Sequence, residues 1–167
     1  INGAANISLY NDSTQGNITL VATEGANYVV VYAVDNVGNL NSSIVYFTAD
    51  TQPPAVILNL PGNYFATPFN ILPFNFTAID NLASSMTCNL TIDALDVNST
   101  TALNNTDTTF VNSMGQGLHQ WNVTCWDDAN NTGTSETRQL TVDTEAPMVA
   151  LISPEDNYNT SSNTVDF

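Results

Sequence analysis

One short motif occurs twice in this chain. The segment Asp50–Pro54, with the sequence DTQPP, returns as Asp143–Pro147, DTEAP, so the two copies start 93 residues apart (143 − 50). Apolar and proline positions after each copy keep this offset: Val56, Leu58, Pro61, Leu72 and Phe74 correspond to Val149, Leu151, Pro154, Val165 and Phe167. One β-sandwich domain is about 100 residues long, whereas solenoid repeats span about 20–50. The chain is therefore predicted to be an all-β tandem array of sandwich modules.

The repeat predicts one complete module between two partial ones. The C-terminal part of a module is expected at 1–51, a complete module at 52–144 and the N-terminal strands of a third at 145–167. Carried upstream, the offset matches Tyr32, Ala33, Asp35, Gly38 and Phe47 with Cys125, Trp126, Asp128, Asn131 and Leu140. Two explanations fit the partial modules: a window cut from a longer array, or strands of one chain completing the first module of the next by strand addition.

Alternating apolar residues predict the strands of the complete module, and no segment predicts a helix. The expected strands are Ala55–Leu60, Ile71–Ile79, Met86–Ile92, Asp107–Asn112, His119–Trp126 and Thr134–Val142. The polar stretch Asp93–Asn105 is predicted to be a loop with one or two short edge strands. Later strands of the first module are expected at 18–23, 28–34 and 43–49, and the third module supplies only its first strand and the start of its second.

The charge of the chain excludes two classes of partner. It has no Lys, one Arg and 16 acidic residues, for a formal net charge of −15. Nucleic acids and anionic membrane surfaces are bound through basic side chains, which this chain lacks. No run of 18 apolar residues predicts a membrane span. The polar surface must be built from amides and hydroxyls.

The asparagines form many glycosylation sequences. Random placement of 24 Asn among 34 Ser and Thr in 167 positions would give about five Asn-x-Ser/Thr sequences. The chain has eleven: Asn6, Asn11, Asn17, Asn41, Asn75, Asn89, Asn98, Asn104, Asn122, Asn130 and Asn159. Asn and Thr are also common in turns and on strand faces, which explains any single site without a sugar. As a set, the eleven predict N-glycosylation and an extracellular location.

Two cysteines support that location. Cys88 and Cys125 each lie in the middle of an alternating apolar run, so both are expected to face the same core. An even number of cysteines in a secreted domain predicts one disulfide. Two reduced thiols remain an alternative, whereas a metal pair lacks further Cys or His ligands nearby. The first module has Tyr32 at the position matched to Cys125 and is expected to have no such bridge.

The sequence around the motif resembles a known family. Tyr32–Asn39, YAVDNVGN, followed by Phe47–Pro54, FTADTQPP, is similar to tandem immunoglobulin-like or fibronectin-like domains of large prokaryotic surface proteins. The richness in Asn and Thr and the run Trp121–Cys125 are similar to archaeal versions, including surface-layer and filament components. The resemblance implies an immunoglobulin-like sandwich on a cell surface and carries no catalytic residues. One departure is Asn131, where such modules usually have Gly to adopt a left-handed turn.

The residues predict no enzyme. The chain has a single His, His119, at the start of a strand, so neither a catalytic triad nor a His-rich metal site can form within one module. A position at the rim of the sandwich explains this His. The paired carboxylates Asp127-Asp128 and Glu155-Asp156 are adjacent along the chain, and neighbouring residues of a strand point to opposite faces.

Calcium is the one cofactor that the sequence suggests, and a structural role requires none. Acidic residues gather at junctions and strand ends: Asp35, Asp50, Asp80, Asp127, Asp128, Asp143, Glu145 and Asp156. Weak sites with oxygen ligands occur in extracellular modules, and Asp50, Asp143 and Glu145 are the candidate ligands here. The preference of turns for Asp explains the same residues without an ion.

These features together predict a structural segment of an extracellular surface protein: a stalk, surface layer or filament subunit that associates with itself or with other surface proteins. The first alternative is an adhesin or carbohydrate-binding module. It would use Trp126, predicted on the outer face of its strand, and the 93–105 loop, although that loop could equally cover the indole. The second alternative is an accessory module of a secreted hydrolase.

Overall fold

The structure is a computed structural model that describes residues 19–166. Eleven strands are present in this part of the chain: β1 (Gly25–Val34), β2 (Leu40–Ala49), β3 (Ala55–Leu60), β4 (Phe65–Thr67), β5 (Ile71–Ile79), β6 (Ser85–Ile92), β7 (Leu95–Leu103), β8 (Thr106–Ser113), β9 (Gly117–Trp126), β10 (Thr132–Thr134) and β11 (Arg138–Val142). Residues 19–166 contain no helix, hence none that could span a membrane.

Two sheets form the sandwich, and the prediction of an all-β immunoglobulin-like fold is confirmed. One sheet has the order β3-β5-β8, and the other has the order β4-β11-β9-β6-β7 with β10 paired to β9. The pair β3–β5 has a register shift between Leu58 and Leu60, after which the chain crosses over and β4 pairs in parallel with β11 of the other sheet. The start of the module therefore supplies one strand to each sheet, β3 to the first and β4 to the second.

The core lies between the inner faces of these sheets. Phe74 and Phe76 of β5 are fully buried, as expected from the alternation along that strand. The rings of Phe74 and Trp121 pack in a T-shaped arrangement across the sandwich, with centroids 4.9 Å apart, and Phe76 stacks on Phe110 at 5.4 Å. Aromatic pairs of this kind contribute about 0.5–1.5 kcal/mol beyond the area they bury.

Two strand predictions in the complete module need correction. The segment predicted as a polar loop with one or two short edge strands instead forms one longer edge strand, β7, of nine residues paired with β6. Most of its side chains are exposed on both faces, so it shows no alternation of apolar residues. The last predicted strand is divided into β10 and β11, because residues 135–137 leave the ladder.

The partial modules also differ from expectation. The strand expected at 18–23 is absent from its described residues, 19–23, and the third module forms no strand within 143–166. Strands β1 and β2 pair over their full length, yet no second sheet of the described chain covers them. Val31, Tyr32 and Tyr46 are exposed as a result.

The hairpin β1–β2 repeats the turn geometry between β9 and β10. The Oδ1 of Asp35 accepts hydrogen bonds from the backbone N–H groups two and four residues later, and the Oδ1 of Asp127 does the same. Asp35 therefore corresponds to Asp127, at an offset of 92 (127 − 35). The expected match with Asp128 is wrong.

The left-handed residue of this turn is Gly38 in the first hairpin, with φ 90°, and Asn130 in the second, with φ 65°. The match of Gly38 with Asn131 is wrong by one position. Phe47 pairs with residue 27 in the first hairpin, and Leu140 pairs with residue 119 in the sandwich. Residues 27 and 119 are 92 positions apart (119 − 27), whereas Phe47 and Leu140 are 93 apart (140 − 47). One residue has thus been inserted near 135–137, where β2 is continuous and its counterpart is interrupted.

Candidate functional site at the module junction

The linker that joins the two modules is held against the sandwich. The amide of Asn131 donates from Nδ2 to the carbonyl oxygen of Asp50 over 3.1 Å. Pro54 is buried, and its carbonyl group lies so close to Gly133 that a Cβ on this glycine would overlap it. The motif DTQPP is therefore a packed connection, and Gly133 is the residue that permits its approach.

Three carboxylates meet where the linker enters the sandwich. Asp50 follows β2, Asp80 follows β5 and Asp127 follows β9. One oxygen of each lies within 4.8 Å of the others, and we call these three residues the junction carboxylates. Asp80 and Asp127 are only 9% and 6% exposed. Burial raises the pKa of Asp50, and the negative charges of Asp80, Asp127 and Glu24 raise it further.

Glu24 brings a fourth negative charge to this junction and connects the modules directly. Its Oε1 accepts a hydrogen bond from Nδ2 of Asn81, in the sandwich, over 3.0 Å. Its Oε2 accepts one from the hydroxyl of Thr51, in the linker, over 2.8 Å. The bond from Asn81 lowers the pKa of Glu24, and those from Thr51 lower it further.

The second junction copies the linker contacts without the carboxylate group. Gln116 replaces Glu24 and accepts hydrogen bonds from the backbone N–H and the hydroxyl of Thr144, at 2.8 and 2.9 Å. Asp143 accepts one from the backbone N–H of Glu145. Neither Asp143 nor Glu145 joins a group of three acidic ligands among the described residues.

The sequence places Asp80 and Asp127 at strand ends but does not single them out as ligands. Nothing local distinguishes them from other turn aspartates. The pairing of Ala55 with Ile79 brings the end of β5 to the start of β3, and therefore to the linker. Only this topology shows which aspartates converge.

The expected disulfide is present. Cys88 and Cys125 are directly opposite each other on β6 and β9, with Cα atoms 4.1 Å apart, and both are fully buried. The bridge joins neighbouring strands of one sheet rather than the two sheets. At the corrected offset, Cys125 corresponds to Ala33 and not Tyr32, so the first hairpin lacks a cysteine there.

The glycosylation candidates differ in how accessible their amides are. In the described part of the chain, four sequon asparagines are exposed: Asn41, Asn98, Asn130 and Asn159. Four are half-buried: Asn75, Asn89, Asn104 and Asn122. Asn6, Asn11 and Asn17 lie outside the described residues. The Nδ2 of Asn104 already donates to the carbonyl oxygens of Asp80 and Ala83, at 2.8 and 2.9 Å. A sugar on that nitrogen would disturb the turn that carries Asp80.

Trp126 lies on the outer face of its sheet, as expected, but is half-buried. Its neighbours across the sheet are Thr87 of β6 and then Thr101 of β7, both exposed. The segment predicted to contact a ligand together with Trp126 thus lies two strands away on the same face. At the corrected offset, the counterpart of Trp126 in the first hairpin is Val34, not Ala33.

His119 is half-buried at the rim of the sandwich and pairs with a carboxylate. Its Nδ1 lies 2.7 Å from Asp93 and its Nε2 lies 3.0 Å from the carbonyl oxygen of Gly115. Burial lowers the pKa of His119, but the hydrogen bonds to Asp93 and Gly115 outweigh it and raise the pKa above its usual value. Both ring nitrogens therefore have partners. Neither partner in the described chain is a hydroxyl group that the imidazole could activate as a nucleophile.

These features define the class of the protein: an immunoglobulin-like β-sandwich with one intra-sheet disulfide, joined through a packed linker to a further β-hairpin. Neither a family model nor a curated protein matches the sequence. Among solved structures, the chain is similar to the fibronectin(III)-like modules of CbhA from Clostridium thermocellum. The identity is 19%, the match covers 52% of this chain and 94% of that chain, and the TM-score is 0.45. The assignment of fold rests on the sheet order and not on this likeness.

Proposed function

We propose that this chain is a structural segment of a glycosylated extracellular surface protein, in which rigid modules follow one another in a stalk, surface layer or filament. The observation that carries the proposal is the linker. It is hydrogen-bonded to Asn131 and packed on Gly133, and Glu24 bonds to Asn81 across the junction. A linker fixed at several points transmits force between modules without bending.

The disulfide and the sequons support the extracellular setting. A buried bridge between two strands is typical of oxidising compartments. The set of exposed sequon amides would supply the hydrated coat that Lys and Arg usually provide.

The experiment is to pull the 167-residue chain by its ends in an optical trap. The proposal expects the complete module to unfold in one cooperative step and the folded chain to extend little before that step. Gradual extension at low force, as from a flexible linker, would contradict a load-bearing role. Antibody labelling of intact source cells tests the location separately: the proposal expects binding to the cell surface, and labelling only after cell lysis would contradict it.

An adhesin is the second candidate, favoured by the row Trp126, Thr87 and Thr101 on one outer face. An aromatic ring flanked by hydroxyls is a common surface for stacking on a sugar. Glycan-array binding that is lost on Trp126→Ala and kept on Tyr64→Ala would support it, because Tyr64 is exposed elsewhere. Absence of binding by the unaltered chain would remove this candidate.

A further inference from the structure

The junction carboxylates are held in place before any ligand arrives. The Oδ1 of Asp80 accepts hydrogen bonds from the backbone N–H groups of Leu82 and Ala83, at 2.8 and 2.7 Å. The Oδ1 of Asp127 accepts two at 2.8 Å, from residues 129 and 131. These bonds belong to the turns. In Asp127 the second oxygen also has a partner, because Oδ2 accepts a hydrogen bond from Nδ2 of Asn131 over 2.8 Å. In Asp80 the turn uses Oδ1 alone.

The second oxygen of Asp80 has no such explanation. Asp80 is nine-tenths buried, and its Oδ2 is inaccessible to solvent and has no hydrogen-bond partner. The same carboxylate contributes to the group with Asp50 and Asp127. A buried charged oxygen without a partner is costly. The position of the Asp80 carboxylate beside those of Asp50 and Asp127 points to a positively charged ligand.

The chain has no side chain available to neutralise this charge. It contains no Lys. Its one arginine, Arg138, is bonded to carbonyl oxygens of residues 58, 59 and 61, and His119 is bonded to Asp93. Glu24 adds to the negative charge at the junction. The balancing cation must therefore come from solution.

Distances and ligand type select among cations. Calcium binds carboxylate oxygens at about 2.3–2.6 Å, so two oxygens on opposite sides of it are about 5 Å apart. The junction oxygens lie within 4.8 Å of one another, in keeping with this span. Magnesium requires a tighter octahedron at about 2.0–2.1 Å and retains several of its waters. Three carboxylates on fixed turns suit calcium better.

We propose that Asp50, Asp80 and Asp127 bind one calcium ion that fastens the linker of the first module to the sandwich of the second. Asp50 belongs to the linker, whereas Asp80 and Asp127 belong to the sandwich, so the ion connects parts of both modules. This site goes beyond the proposed function and does not depend on whether the array serves as a stalk or an adhesin.

Calorimetric titration of the chelator-treated 167-residue chain with calcium chloride tests the site. One ion per chain is expected, with a Kd of about 10⁻⁵–10⁻³ M, as for extracellular modules. Magnesium should bind at least about tenfold more weakly. Asp80→Asn should weaken calcium binding at least about tenfold, because it removes the charge and leaves an oxygen for Leu82 and Ala83. Asp143→Asn is the matched control and should bind like the unaltered chain.

Two further measurements keep the test decisive. In EDTA, Asp80→Asn should melt at or above the temperature of the unaltered chain, because it removes repulsion between carboxylates. Calcium should raise the melting temperature of the unaltered chain and of Asp143→Asn, and should slow hydrogen exchange at residues 50–54 in both. Absence of saturable binding up to 10 mM calcium, taken as about ten times the weakest expected Kd, would overturn the proposal. Equal affinity in Asp80→Asn and Asp143→Asn would overturn it too.

Discussion

The guanidinium of Arg138 donates a hydrogen bond from Nη2 to the carbonyl oxygen of Leu58, over 2.8 Å. Its Nη1 donates to the carbonyl oxygens of residues 59 and 61, at 3.3 and 3.0 Å. These carbonyls lie where the register of β3 shifts and the chain leaves one sheet for the other. The single arginine of the chain thus satisfies the backbone at the crossover.

Replacement of Arg138 should destabilise the sandwich. Arg138→Met leaves the crossover carbonyls without their donor and should lower the free energy of unfolding by about 2–3 kcal/mol. Arg138→Lys should recover part of this, because one ammonium cannot reach all three oxygens. Glu136→Gln is the control: Glu136 is 62% exposed, and loss of its pairing with Arg138 should cost less than about 1 kcal/mol. Urea denaturation measures the free energy of unfolding of all three variants. Equal losses for Arg138→Met and Glu136→Gln would contradict the role of the crossover bonds.

The linker should respond to a single methyl group. Gly133→Ala places a Cβ on the carbonyl group of Pro54, so the linker must move away, at a cost of about 1–3 kcal/mol. Gly62→Ala is a matched control, because open space surrounds its Cβ position and its φ lies outside the left-handed region. It should change stability by less than about 0.5 kcal/mol. Denaturation curves of both, with hydrogen exchange at 50–54, test this, and a similar small effect in both would refute the close packing of Pro54.

The strands could be predicted from sequence where one face is buried. Along β5, the buried residues Leu72, Phe74 and Phe76 alternate with more exposed ones, so the period of two is visible in the letters. Along β7 nearly every side chain is exposed, and its sequence DVNSTT cannot be told from a loop. Its position is fixed by backbone pairing with β6, which composition does not record.

The junction shows why the candidate site could be predicted only in part. The repeated motif draws attention to Asp50, and for the same reason to Asp143 and Glu145, which do not join the group. The partners of Asp50 lie 30 and 77 residues further along (80 − 50 and 127 − 50) and converge only through sheet pairing. A constant offset of 93 also conceals the inserted residue near 135–137, and it therefore matches Asp35 with Asp128 and not with its structural counterpart, Asp127.

The disulfide should limit how far the chain extends under force. Cys88 and Cys125 are 37 positions apart, and the bridge keeps the intervening chain from extending. Reduction should therefore increase the contour length gained on unfolding by about 130 Å, at up to about 3.6 Å per residue. The same loop predicts a loss of about 4 kcal/mol in Cys88→Ala/Cys125→Ala. An unchanged contour length in the optical trap after reduction would show that the thiols are not bridged.

Glycan occupancy should follow the accessibility of the amide nitrogen. Asn98 is exposed on β7, whereas the Nδ2 of Asn104 donates to two carbonyl oxygens beneath the Asp80 turn. Protein from the source cells should therefore carry sugar at Asn98 in most molecules and at Asn104 in few. Glycopeptide mass spectrometry measures both sites. Full occupancy at Asn104 would show that the amide is glycosylated before this turn forms.

The pair of His119 and Asp93 predicts a pH dependence of stability. The hydrogen bonds that raise the pKa of His119 favour its charged form in the folded state. The stability that the charged His119 gives to the fold is fully present below its unfolded pKa of about 6.5, and it is lost as the pH rises through the folded pKa. The backbone N–H of Gln120 lowers the pKa of Asp93, and His119 lowers it further, so that contribution persists above about pH 4 and is lost on acidification.

The pair should therefore stabilise the fold most between these limits. The free energy of unfolding of the unaltered chain should exceed that of His119→Gln, and this difference should fall by about 0.5 kcal/mol between pH 5.5 and 8.5. The change is small because Asp93 is half exposed and solvent screens the pair. His119 is the only histidine, so one imidazole NMR resonance reports its pKa directly. Asp93→Asn should return that pKa towards 6.5. A titration midpoint at or below 6.5 in the unaltered chain would show that burial, and not the carboxylate, dominates the environment of His119.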